Sequence, residues 1–164
     1  MAALTNQLHL VTWSDVFVLV DHGKAEPADY GMLGELVLKL ASSYPRGVGG
    51  LIIIPPNATP PSDAARMAMN ALMRRLGTSL RCFCWYVAGG GFQGAMVRGV
   101  LTGVKMFGRL PYETHVTTSL ADGLSWIVRR LDGNDQRIAT IFDGVRWIED
   151  ERKRSVEEAA TVKT

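Results

Sequence analysis

The segment Val48-Gly49-Gly50-Leu51-Ile52-Ile53-Ile54 contains no charged or hydroxyl side chain and no alternation of apolar with polar residues. A strand with one face in water alternates, so an unbroken apolar run of this length predicts a strand buried on both faces. Tyr44-Pro45-Arg46-Gly47 closes it off on one side and Pro55-Pro56 on the other. Before it, Leu33, Leu36, Val37 and Leu40 recur at helical spacing, with Glu35 and Lys39 off the stripe. After it, Ala65, Met69, Leu72, Met73 and Leu76 do the same. A doubly buried strand between two helices implies crossover connections, and these give a parallel sheet covered by helices.

The rest of the chain extends this pattern. Gln7 to Trp13 and Val16 to Asp21 are strand-like runs separated by Ser14-Asp15, and read as an opening hairpin. Leu80 to Ala88 is a further strand, and Gly89-Gly90-Gly91 leads from it into a helix through about Phe107. Tyr112 to Thr117 alternates in the manner of an edge strand. Ser119 and Asp122 have the spacing of a capping box, and Leu120, Leu124, Ile127, Val128 and Leu131 form the stripe of the helix that follows, closed by Gly133. The predicted fold is α/β: a single, mixed, mostly parallel sheet with helices packed on it, over residues 7–133. Residues 134–164 form a C-terminal extension. There Ile138, Ile141, Phe142, Val145 and Ile148 fit one amphipathic helical stripe, although Asp143-Gly144 is also a hairpin signal.

Composition narrows the class. With 47% apolar and 21% charged residues the chain resembles a globular domain rather than a disordered one. Eighteen basic residues face sixteen acidic ones, which leaves no electrostatic footprint for nucleic acid. Runs such as Val16 to Val20 and Leu51 to Ile54 are too short to span a bilayer, so no membrane insertion is expected. Two cysteines make no disulfide framework, and the start Met1-Ala2-Ala3-Leu4 has no basic, long apolar leader. A reducing cytoplasm is the expected location.

Several motifs carry chemistry on paper. Gly89-Gly90-Gly91-Phe92-Gln93-Gly94 holds a Gly-x-Gly-x-x-Gly between a strand and a helix, so Gly89, Gly91 and Gly94 form a candidate anion-binding loop. The unit comes third along the chain and lacks the acidic residue at the end of its next strand, which favours a tight turn. Ala95, Gly99 and Gly103 recur every four residues, a spacing for close packing on the sheet or for a helix–helix dimer contact. Cys82 and Cys84 point the same way on a central strand, but no histidine flanks them, so no metal site is expected. Asp21-His22 sits at a strand's C-terminal end and His115 on an edge strand, and neither completes a nucleophile–base set. In the tail Ile141, Val145, Trp147 and Ile148 are a candidate interface, for self-packing, a homodimer or a partner.

Ser62 follows Thr59-Pro60-Pro61 in the place of an N-cap, with Asp63 in the first turn, where negative charge suits the helix dipole. The element order and this loop resemble the STAS domain, the fold of bacterial anti-sigma-factor antagonists, over about Gln7 to Gly133. In that family a serine or threonine at the start of the second helix is phosphorylated by a partner kinase, in a loop reading Asp-Ser-Ser-Gly or close to it. Here the stretch reads Thr59-Pro60-Pro61-Ser62-Asp63-Ala64. Ser62 matches the phosphoacceptor position, Pro61 stands in place of the Asp, and the Gly is absent. The resemblance implies a non-enzymatic protein-interaction module needing no cofactor, with Ser62, Thr59 and Asp63 on its partner surface. Two alternatives stay open: a carrier of a small hydrophobic ligand or lipid lined by Met67, Met69, Met73, Met96 and Met106, and a nucleotide-binding enzyme using the glycine loop.

Overall fold

The computed structural model describes residues 2–3, 8–21, 24–55, 58–88, 110–131, 138–141, 143–144 and 146. Its strands are β1 (Ala2–Ala3), β2 (Leu8–Trp13), β3 (Val16–Asp21), β4 (Val48–Ile54), β5 (Leu80–Val87) and β6 (Glu113–Thr117). Its helices are α1 (Pro27–Ser42), α2 (Asp63–Leu76) and α3 (Leu120–Leu131), with a single 3₁₀ turn at Gly77–Ser79. The strands lie in one sheet in chain order, β1 to β6. The pairs β1–β2 and β2–β3 are antiparallel, while β3–β4, β4–β5 and β5–β6 are parallel. The single mixed, mostly parallel sheet expected from the sequence is the one observed.

The two-residue turn Ser14-Asp15 sets the hairpin register at Trp13 opposite Val16, and Ser14 takes φ +52° to make it. The carbonyl of Asp15 accepts from the Gly49 N–H at 2.8 Å, which ties the hairpin tip to the start of β4. All six residues of β3 are buried, as are the first six of β4. Both strands are therefore covered on two sides, which explains why neither alternates in sequence.

Side chains alternate between two cores. On one face Leu10, Phe17, Leu19, Ile52, Phe83 and Trp85 pack against Leu33 and Val37 of α1 and Leu72, Met73 and Leu76 of α2. On the other, Val18, Leu51, Ile53, Cys82 and Cys84 pack against Leu124, Ile127, Val128 and Leu131 of α3. Close approach of the helix on this second face depends on glycine. A Cβ at Gly123 would lie 3.1 Å from both Cys84 Sγ and Thr117 Cγ2, and one at Gly49 would lie 2.7 Å from Ile127.

Two expectations are modified. At the start of α3, Ser119 Oγ accepts from the Asp122 N–H at 3.2 Å, which is half of a capping box. The Ser119 N–H goes instead to Thr117 Oγ1 at 3.0 Å, because the Asp122 carboxylate is drawn to His115. In the tail, residues 138–141, 143, 144 and 146 are helical. Ile141 is only 2% exposed and belongs to the α3-side core, so it lies inside its own domain rather than on a surface open to a partner. The ring of Trp13 lies so close to Gly144 that any Cβ there would collide with it. Val145, Trp147 and Ile148, the glycine loop at Gly89, Gly91 and Gly94, the helix expected to about Phe107, and Met96 and Met106 lie outside the described residues.

Candidate functional site

The loop from β4 rises to α2 at the C-terminal edge of the sheet, and Ser62 is where the chain turns helical. Its backbone is extended, at φ −61° and ψ 162°, and its Oγ accepts from the Ala65 N–H at 3.1 Å. Ser62 thus satisfies one of the orphan donors of the first turn, as an N-cap does. The cap uses a lone pair and leaves the hydroxyl on the surface. Thr59, Pro60, Pro61, Ser62, Asp63 and Ala64 are all exposed.

Asp63 forms an ion pair with Arg66 one turn on, at 2.5 Å. Both side chains are well solvated, so the pair contributes little to stability. Its local effect is to balance the Asp63 charge, a role for Arg66 that could have been read from the i, i+3 spacing alone. Along the same helix Met67 is 72% exposed, with Ala64 and Ala71 exposed around it. Met32 on α1, in the same layer, is 48% exposed. Among the described residues these two are the large apolar side chains left to solvent. Helical stripes identify which methionines face the core, but not whether an outer methionine is covered by another part of the fold.

The same positions bear on the carrier reading. Met73 is buried in the core between α2 and the sheet, Met69 is half-buried against it, and Met67 points away from the interior. The methionines of α2 therefore do not line one cavity together.

Asp21 ends β3 and is buried, and it accepts a hydrogen bond from the Tyr30 hydroxyl at 3.1 Å. Burial, then the Asp21 charge, pushes the Tyr30 hydroxyl well above its ordinary range. This ties β3 to α1 through a phenol that stays neutral; His22, the other member of the pair considered from the sequence, lies outside the described residues. Cys82 and Cys84 are buried thiols and are not joined in a disulfide. Desolvation pushes the Cys82 thiol up to about 12, which suits a small core hydrophobe and not a nucleophile. Among the described residues no group of three or more His, Cys, Asp or Glu side chains is placed to hold a metal ion.

A cluster that no motif announced lies between β6 and α3. His115 Nε2 is 3.1 Å from Asp122 Oδ2, and the imidazole stacks on Trp126 with ring centres 5.2 Å apart. The Arg130 guanidinium lies 4.1 Å from the Trp126 ring centre and binds Glu113 at 2.6 Å. The signal was present as two periods: Glu113, His115 and Thr117 alternate along the strand, and Asp122, Trp126 and Arg130 are spaced by four along the helix.

No protein-family model matches the chain, and no curated protein matches it. A solved structure does: an uncharacterized protein of the DUF3478 family from Shewanella loihica PV-4, described as having a SpoIIAA-like fold. The TM-score is 0.54 at 16% identity, over 77% of this chain and 98% of that one. At that identity the likeness is one of fold. The mixed sheet, its two helical layers and this match together establish that the chain has a SpoIIAA-like, STAS-like α/β fold.

Proposed function

We propose that this chain is a non-enzymatic protein-interaction module. Its docking surface is the exposed side of α2 and the loop before it, and Ser62 acts as a regulatory phosphoacceptor. The observation that carries the reading is Met67, 72% exposed on an otherwise ordered helix. An apolar, adaptable side chain held in water next to small neighbours is suited to burial by a partner. Ser62 lies five residues earlier, about 7.5 Å of helix rise away, so both fall under one contact. The occupant is a folded protein that presents apolar side chains to Met67, Ala64 and Ala71.

Phosphate on Ser62 would sit at a helix N-terminus, where free N–H groups and the dipole favour negative charge. Arg66, one turn on, is at the spacing to reach it and would be drawn away from Asp63. The fold would tolerate the modification, whereas a partner seated on Met67 would have to desolvate a dianion. Phosphorylation is therefore read as a release signal.

The test is affinity capture from the source cell with wild-type protein, Met67→Lys and Ser62→Asp, each first shown to be folded by circular dichroism. The expected result is one stoichiometric protein partner retained by the wild type and lost by both variants, with a phosphate mass on Ser62 or Thr59 in the unbound pool. A partner retained equally by Met67→Lys overturns the docking surface. A wild-type protein that carries a small molecule and no partner overturns the module itself.

A further inference from the structure

The chain is close to balanced in charge, at +2 over its length, but the fold sorts that charge along the strands. The parallel strands start at the edge of the sheet where the helices end. Lys39 is in the last turn of α1, Arg74 and Arg75 in that of α2, and Arg129 and Arg130 in that of α3. Arg46 lies just before β4 and Arg81 is the second residue of β5, and these strands begin in register, Val48 against Leu80. The turn at Gly47 brings the two arginines' segments together. A Cβ there would lie 3.1 Å from the Ser79 carbonyl oxygen and 3.6 Å from the Arg81 Cβ.

The carboxylates of this edge are fewer. Glu35 pairs with Arg75 and Glu113 with Arg130, while Asp15 is at the tip of the β2–β3 hairpin. Beyond those two pairs, Lys39, Arg46, Arg74, Arg81 and Arg129 are all exposed. Arg74 and Arg129 donate to the carbonyl oxygens of Asn70 and Ser125 in their own helices, which aims each guanidinium without cancelling its charge. The charges of Arg81, Arg130, Glu113 and Asp15 all act on the Cys82 thiol, so they gather within reach of one strand start. The opposite edge has the reverse balance: Asp21, Glu26, Asp29, Asp63 and Asp122 are there with Lys24 and Arg66.

The shape of the basic edge selects its partner. Its cations cross all three layers, from α1 and α2 over the sheet ends to α3. A single acidic peptide follows one line and would meet only part of them. Helix C-termini turn carbonyl oxygens, not N–H groups, toward this edge, so no backbone cradle fixes a phosphate in one position. Met32 and Met67, the exposed large apolar side chains among the described residues, lie early in their helices and away from it. A broad cationic face built from long side chains suits a planar layer of mobile anionic headgroups.

We propose that the strand-start edge is a membrane-adsorbing face, which takes the anionic headgroups of a lipid surface by charge alone. Ser62 and Met67 lie toward the other edge, so adsorption leaves the docking surface turned to solution.

Vesicles of phosphatidylcholine, with and without about one-third phosphatidylserine, are sedimented with the full chain. Binding is expected to the anionic vesicles at low salt and not to the neutral ones, and it should fall as added salt shortens the reach of the charges. Each cation held near an anionic surface strengthens binding about fivefold. Arg46→Gln combined with Arg81→Gln should therefore weaken it by about 10- to 30-fold. Lys24→Gln, at the other edge, should leave it within about twofold of wild type. Circular dichroism first shows each variant to be folded, and should the double variant not fold, Arg74→Gln with Arg129→Gln takes its place. Duplex DNA and polyglutamate serve as competitors at matched charge. Equal binding to neutral vesicles, no binding at low salt, or a double variant that binds as the wild type does overturns the face. A tighter hold on either competitor than on the anionic vesicles overturns its assignment to lipid.

Discussion

The α1–α2 layer and the α3 layer cover opposite faces of the same sheet, and they treat their outer sides differently. α3 is fastened along its flank by the row from Glu113 to Asp122, and its core is extended by Ile141 from the tail. The α1–α2 layer buries its inner residues as thoroughly, down to 2% exposure or less at Leu33, Val37 and Leu76, yet leaves Met32 and Met67 in water. Burial of the inner stripe is what folding demands of every amphipathic helix. What lies on the outer side is free to serve other ends, and here the two layers diverge: α3 is tied to the edge strand by polar and aromatic contacts, while α1 and α2, joined to each other by the Glu35–Arg75 ion pair, also present Met32 and Met67 to solvent. The comparison is the ground for proposing docking on the α1–α2 side, with anchoring on the α3 side.

The sharpest way to break this contrast is to remove anchoring from the α3 side. Ile127 is fully buried between α3 and the sheet. Ile127→Ala is expected to cost about 2–5 kcal/mol in urea unfolding, as for other large-to-small core changes. A loss under about 1 kcal/mol would mean that α3 is a loosely held cover, and the contrast would fail.

A pair of adjacent glycines compares the two faces directly. A Cβ at Gly50 would meet Phe17 and Phe83 at 2.5 Å, two rings rooted in the sheet itself. At Gly49 it would meet the tips of Ile127 and Leu131, at 2.7 and 2.9 Å, which belong to α3. Gly50→Ala is expected to cost about 1–3 kcal/mol, and Gly49→Ala less, because methyl tips on a helix shift more readily than packed rings. Equal costs would show that α3 is as rigid a wall as the strands.

The smallest effect is at the candidate site. Ser62→Ala removes the acceptor for the Ala65 N–H and should cost about 1 kcal/mol, while Ser62→Asp keeps a capping oxygen and should stay within a few tenths of wild type. If Ser62→Asp unfolds the chain by more than about 2 kcal/mol, the residue is doing more than capping. In that case its use as an acidic mimic of phosphate would also fall away.

How much of this was legible beforehand differs by residue. The buried strand Val48–Ile54 was plain, because seven residues without a charge leave no water-facing side. The Ser62 cap was plain too, since a hydroxyl before an apolar stripe after two prolines has one natural use there. Glu113, Trp126 and Arg130 were not picked out, because each alone is an ordinary surface residue. Their meaning depends on β6 and α3 lying alongside each other in one register. For Ile141 self-packing and an interface both stayed open, since the tail stripe was visible but the surface that would cover it was not; the fold takes it inside.

Local periodicity determined the order of the described elements from β2 onward, the Ser62 cap and which side of each described helix faces inward. These depend on neighbours within a few residues, and the chain states them directly. The tertiary structure alone decided which outer side stays open, which tail residue goes inside, and that a histidine on an edge strand meets an aspartate, a tryptophan and an arginine's neighbour. Those facts depend on distances between segments far apart in the chain, set by the packing of whole layers and not by any one stretch of sequence.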